Sequence, residues 1–251
     1  MASSPPPLGR LRLSQFGWGR RAALIAAALI GSAAVGYAGN RASRHALWQV
    51  VQACALDKAM TGSALPCLEV GDGYAVLRPP FGKPDTILTP TQRIVGIEDP
   101  LLQRPETPNY FALAWEARRW LTPAPPPERA ALAVNSRQAR WQDQLHIHIG
   151  CLVPQFAGRL GNRALGPQTG VWFRAPDMAP GLELWTYRTG TKDWTGLAPF
   201  RLLQPLVGDA AGMARTTLAA ALIGGELVLA ALRSRPGGWY ASAEDVIDAR
   251  C

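Results

Sequence analysis

Residues 142–154 read QDQLHIHIGCLVP and hold two of the chain's three histidines, one residue apart. Isoleucine favours strands, and a strand sends alternate side chains to the same face. Gln144, His146 and His148 are therefore expected side by side, with Leu145, Ile147 and Ile149 turned into a core. Three chemistries compete for such a face. Paired imidazoles begin many zinc sites, but further ligands are scarce here. His45 lies beside the N-terminal apolar segment, and Cys151 follows His148 by three and falls on the opposite face. A distant Asp or Glu would have to complete the set. The second reading is a structural pair satisfied by core hydrogen bonds, although three adjacent polar side chains are costly to bury for packing alone. The third is phosphate chemistry. A neutral imidazole attacks phosphorus directly, water then opens the labile phosphorus–nitrogen bond, and a second histidine steadies the phosphoryl or leaving oxygen. That route calls for no cofactor and no metal.

Such a strand needs a folded body, and the composition supplies one. At 251 residues and 48% hydrophobic content, the chain can build a core, most simply in one domain. The net charge of +8 does not mark a nucleic-acid binder, because it is concentrated at one end. Residues 1–44 carry Arg10, Arg12, Arg20, Arg21, Arg41 and Arg44 and no acidic residue, which leaves 20 basic against 18 acidic residues in the remainder. These arginines flank AALIAAALIGSAAVGYAG, an uncharged run of 18 at residues 22–39. Its length suits either a short membrane span or a cleaved signal peptide with small residues at Gly36 and Ala38. With four arginines before the run and two after, the N-terminus (residues 1–21) stays cytoplasmic and the body is exported. Export favours disulfides. Four cysteines allow three pairings; Cys54 and Cys67 are close in sequence and bracket a polar loop, which leaves Cys151 for Cys251.

The elements around the histidines follow from local patterning. RHALWQVVQACALDKAM has helical spacing, and GYAVLRPP and DTILTPTQRIVGI read as strands joined through FGKP. Asn109 is the expected N-cap of a helix over YFALAWEARRWL, stopped by TPAPPPE. ALAVNS and DQLHIHIGCL are the next strands, linked by RQARW. Farther on, GVWFRAP and LELWTYRT are strands, and TTLAAALIGGELVLAAL is a hairpin about Gly224-Gly225 rather than a second membrane span. Two short helices and the closing SAEDVIDARC complete a mixed α+β domain.

QLHIHIG resembles the strand of the histidine triad superfamily, in which histidines alternate with apolar residues and the middle one is the nucleophile. The wider set GYAVLRPP, LTPTQRIVGIEDPLL, TPNYFALAWEARRWL, LAVNSRQARWQDQLHIHIGCL and SAEDVIDARC is similar to the CDP-diacylglycerol pyrophosphatases, a membrane-anchored bacterial branch of that superfamily. The likeness covers residues 45–251. It implies a HIT-like antiparallel sheet with flanking helices, preceded by one N-terminal transmembrane helix over 22–39. It also implies an inner-membrane, single-pass protein with a periplasmic catalytic domain that hydrolyses CDP-diacylglycerol to CMP and phosphatidate through a nucleotidyl-histidine. On that likeness His146 is the nucleophile and His148 the charge-stabilising partner. Gln144 stands where relatives carry the first histidine, and Asn135, Ser136, Arg140 and Gln142 line the ribose and phosphate. A transferase passing CMP to an alcohol, or a silent nucleotide-lipid binding module, are the other functions compatible with these residues.

Overall fold

Alternating apolar residues in short runs, separated by glycine and proline turns, dictate a sheet, and the sheet organises everything else. The computed structural model describes residues 44–78, 86–162, 164–248 and 251. The strands are β1 (Glu69–Gly71), β2 (Tyr74–Leu77), β3 (Thr86–Pro90), β4 (Ala130–Val134), β5 (Ile147–Leu152), β6 (Trp172–Ala179), β7 (Leu182–Arg188), β8 (Thr216–Ile223), β9 (Glu226–Ser234) and β10 (Ile247–Asp248). They form one sheet in the order β1-β2-β3-β5-β4-β8-β9-β7-β6. Every strand pairing in it is antiparallel. The histidine-bearing β5 is central. β4 takes one edge of it, while β3 and β10 share the other, β3 along Ile147–Ile149 and β10 at Cys151 and Leu152.

Among the described residues five α-helices accompany the sheet: α1 (Ala46–Thr61), α2 (Tyr110–Ala117), α3 (Pro154–Asn162), α4 (Pro199–Val207) and α5 (Ala210–Ala214). Ile147 and Ile149 face the larger core with Leu88, Leu132 and Val134, against Phe111 and Trp115 of α2 and Phe200 of α4. Asn109 caps α2 as expected, its side chain accepting from the Ala112 N–H. The opposite sheet face is floored by alanines (Ala131, Ala133, Ala219, Ala221 and Ala230) and covered by Phe156 and Leu160 of α3 and by Ala243, Val246 and Ile247. Small side chains on the floor let those covering segments lie close. Gly150 shows the limit: a Cβ there would meet Ile247 Cγ2 at 2.3 Å and the Asp248 carbonyl oxygen at 2.7 Å.

The hairpin at Gly224-Gly225 is present, with φ of 61° and 86° closing β8 onto β9 in a two-residue turn. The strand expected over DTILTPTQRIVGI is shorter than its pattern and stops at Pro90. The strand expected to start before Gln144 begins its ladder at Ile147, so Gln144 and His146 approach the sheet as irregular backbone. Helix α3 goes unread in the sequence because Gly158 and Gly161 lower its helix propensity. Among the described residues no helix is long and apolar enough to cross a membrane. The apolar run at 22–39, expected to do so, lies outside them.

Both expected disulfides are formed. Cys54–Cys67 ties α1 to the segment before β1, and Cys151–Cys251 ties β5 to the chain end across a sequence separation of 100. Chain entropy gives about 3 kcal/mol for a short loop and about 4.7 kcal/mol for one of a hundred residues. Cys251→Ser should therefore cost about 2 kcal/mol more than Cys54→Ser in urea unfolding under oxidising conditions. Equal losses would show that the long loop is already ordered in the unfolded chain.

Candidate active site

His146 and His148 stand together on the alanine-floored side of the sheet, ring centroids 5.0 Å apart and edge to face, both buried. The backbone at Gln144 decides what His146 can do. Its carbonyl oxygen lies 2.8 Å from His146 Nδ1. A carbonyl only accepts, so Nδ1 carries the proton and the Nε2 lone pair is bare. Burial, then the neighbouring His148 and Arg140, push the imidazole down to about 4; the Gln144 carbonyl and Glu244 pull the other way. At neutral pH His146 is thus an uncharged base with its free nitrogen fixed in direction.

His148 is oriented from the far end of the chain. The Asn135 side chain, at the end of β4, sits between the Ala243 N–H and His148 Nε2. The N–H donates to Asn135 Oδ1 at 2.6 Å, and Asn135 Nδ2 lies 3.3 Å from the ring nitrogen. Because a backbone N–H only donates, Oδ1 must face Ala243, and the amide therefore presents its NH₂ to His148. His148 Nε2 accepts, and the ring proton sits on Nδ1. Ser136 is buried beside this contact: its N–H donates to Thr217 Oγ1, and its own hydroxyl oxygen accepts from the Ala139 N–H. Thr217 then donates to the Ala241 carbonyl, fastening the same tail.

The remaining expected residues hold the loop before His146. Arg140 is almost wholly buried and grips Glu98 with two bonds of 2.7 Å. It also bonds Asp143, which Arg44 holds from outside at 2.6 Å. The Arg44 hydrogen bond is the largest cause holding the Asp143 carboxyl down to about 2. Gln142 Oε1 accepts from the Leu47 N–H at the start of α1. The Gln144 side chain is fully buried and donates to the carbonyls of Pro90 and Gln92, where β3 stops. Its amide thus braces the loop, while its backbone carbonyl serves His146. Asn135 and Arg140 reach the histidines directly or through their charge, and Gln142 ties the same loop to α1. Sequence reasoning missed Glu98 and the Ala243 N–H. Glu98 lies 42 positions from its partner, and a backbone donor leaves no mark in a side-chain pattern. Among the described residues no three His, Cys, Asp or Glu side chains are grouped to hold a metal.

The sequence profile of the CDP-diacylglycerol pyrophosphatases matches residues 42–251, so the chain belongs to that family and is a hydrolase of a pyrophosphate bond.

Two outcomes follow from this geometry. Asn135→Asp keeps an acceptor for Ala243 but presents an acceptor to His148, which forces the ring proton onto Nε2. We expect kcat on CDP-diacylglycerol to fall on the order of 100-fold with KM little changed, as when one donor to developing charge is lost; an unaltered kcat would show that the tautomer of His148 is immaterial. The second outcome concerns stability. The unfolded chain binds a proton at His146 near 6.5 and the folded chain only near about 4, so between these values the unfolded state holds more protons. Stability should decline as pH drops from 6.5 towards 4, before Asp143 contributes any loss below its ordinary 3.8. His146→Phe should flatten that slope in thermal melts, and a slope left intact would assign it to another group.

Proposed function

We propose that the chain cleaves CDP-diacylglycerol to CMP and phosphatidate through a covalent cytidylyl-His146. The bare Nε2 attacks the cytidine-side phosphorus, the bridging oxygen leaves with phosphatidate, and the ring becomes an N-phosphorylated imidazolium. Its Nδ1–H, already aimed at the Gln144 carbonyl, meets a stronger hydrogen bond as positive charge grows on the ring, a contact that favours the transition state over the ground state. His148, two residues beyond on the same face, donates through Nδ1–H to the developing phosphoryl charge. Water then adds to phosphorus and releases a proton to solvent, the phosphorus–nitrogen bond breaks with its electron pair returning to Nε2, and CMP departs.

One observation carries this reading: a buried imidazole that is neutral at physiological pH, with one nitrogen tied off and the other free. The lipid substrate gives a reason for the basic flank and apolar run at residues 22–39. In this reading they form a single-pass anchor in a bacterial inner membrane, with the catalytic domain on the periplasmic side. Two disulfides suit that compartment.

Hydrolysis in oxygen-18 water should put the label in CMP and none in phosphatidate. Label in phosphatidate would mean attack on the lipid-side phosphorus. His146→Ala should abolish the covalent adduct, which alkaline quenching and peptide mapping would otherwise locate. His148→Ala should keep the nucleophile and retain slow turnover, losing about 3–4 kcal/mol of transition-state stabilisation. The reverse ranking of the two variants would exchange their roles.

A further inference from the structure

Three aromatic side chains near the histidines have little to pack against: Trp141 is 84% exposed, Trp239 68% and Tyr240 52%. Tryptophan and tyrosine gain so much from burial that three exposed together call for an occupant. They also share one end of the sheet. Trp141 lies in the link from the end of β4 to the start of β5, next to Arg140. The Trp239 N–H bonds the Pro180 carbonyl, in the turn from which β7 begins. The segment from Trp239 then runs to Ala241, where Thr217 near the start of β8 holds it, and to Ala243, which orients Asn135. In the antiparallel order, the end of β4 and the starts of β5, β7 and β8 fall at one rim. Val95, exposed and following β3, joins them through the neighbouring Ile94 carbonyl, which accepts from the Leu145 N–H. Exposed Arg137 lies between these points.

We propose that this rim docks on the headgroup layer of an anionic phospholipid bilayer, its aromatics at the interface and Arg137 among the phosphates. The proposal rests on the family's lipid substrate and extends it to how the site meets that lipid. Trp and Tyr are the side chains that favour the membrane–water boundary, apolar body inward and polar tip in water. Chain length gives the second argument. The uncharged run ends at residue 39, and Arg44, five steps later, is ion-paired with Asp143, two residues beyond Trp141. Five residues span at most about 18 Å, so a run seated in a bilayer holds the Trp141 loop close to its surface. The other exposed apolar residues do not share this place. Phe173 lies near the start of β6, which pairs with the last residues of β7 at the opposite end of the sheet.

The test uses the full chain in phosphatidylcholine–phosphatidylglycerol vesicles whose acyl chains are brominated near the headgroup, with tryptophan quenching as the readout. This needs no turnover, so it stands even if the assigned reaction is wrong. Trp141→Phe with Trp239→Phe should remove at least half of the quenchable emission, whereas Phe173→Ala leaves it unchanged. Quenching that survives the double substitution overturns the proposal, as does loss of an oligomer on sedimentation without change in quenching, which would assign the rim to a second copy of the chain. A second arm compares substrates. Trp141→Ala with Trp239→Ala should lower kcat/KM roughly tenfold on vesicle-borne CDP-diacylglycerol, through lost effective concentration, and stay within about twofold on a monomeric short-chain analogue. Equal losses on both substrates would make the aromatics part of the site and contradict docking.

Discussion

The hydrogen bond from His146 Nδ1–H to the Gln144 carbonyl is the contact on which the proposed chemistry depends, because it fixes both the tautomer and the aim of a buried ring. A histidine in water at neutral pH is partly protonated and free to rotate. Burial removes the charge, and the carbonyl removes the rotation. Either effect alone would fall short. A neutral ring of the wrong tautomer would turn an N–H towards phosphorus, and a correctly turned but charged ring would have no lone pair.

The sheet exists, for this purpose, to hold that carbonyl still. Leu145 is pinned from both sides, its N–H to the Ile94 carbonyl and its own carbonyl to the Thr89 hydroxyl. The Gln144 amide grips Pro90 and Gln92, and Arg140 locks the preceding loop to Glu98. On the other flank the chain end comes back over the alanine floor. The disulfide to Cys251 and the short β10 pairing keep it there, and the Ala243 N–H then turns Asn135 towards His148. Arg140 works by being spent: a buried guanidinium whose carboxylate partners sit at 2.7 and 3.2 Å is a fixed strut, and removing it would strip Glu98 of its ion-pair partner while Asp143 keeps Arg44.

What could be read from the sequence was what local pattern determines. The alternation around His146 and His148, the Asn109 cap, the glycine hairpin and the two cysteine pairs each depend on a few neighbouring residues, and all are present. The site's supports depend on contacts between distant segments, and there the pattern was silent or misleading. Gln144 continues the alternation, yet its side chain turns to the end of β3 because the ladder starts only at Ile147. Gln142 Oε1 accepts from the Leu47 N–H on the first turn of α1, 95 positions away in the sequence. The donor that orients Asn135 is a backbone N–H 108 residues away, which no residue type announces.

The most direct measurement of this account is the nitrogen-15 spectrum of histidine-labelled protein, titrated downward in pH, with His146 assigned by its substitution. A pyrrole-type Nδ1 and a pyridine-type Nε2 should persist well below pH 6.5, with protonation centred at about 4. A proton on Nε2 at neutral pH, or a midpoint close to 6.5, would contradict it.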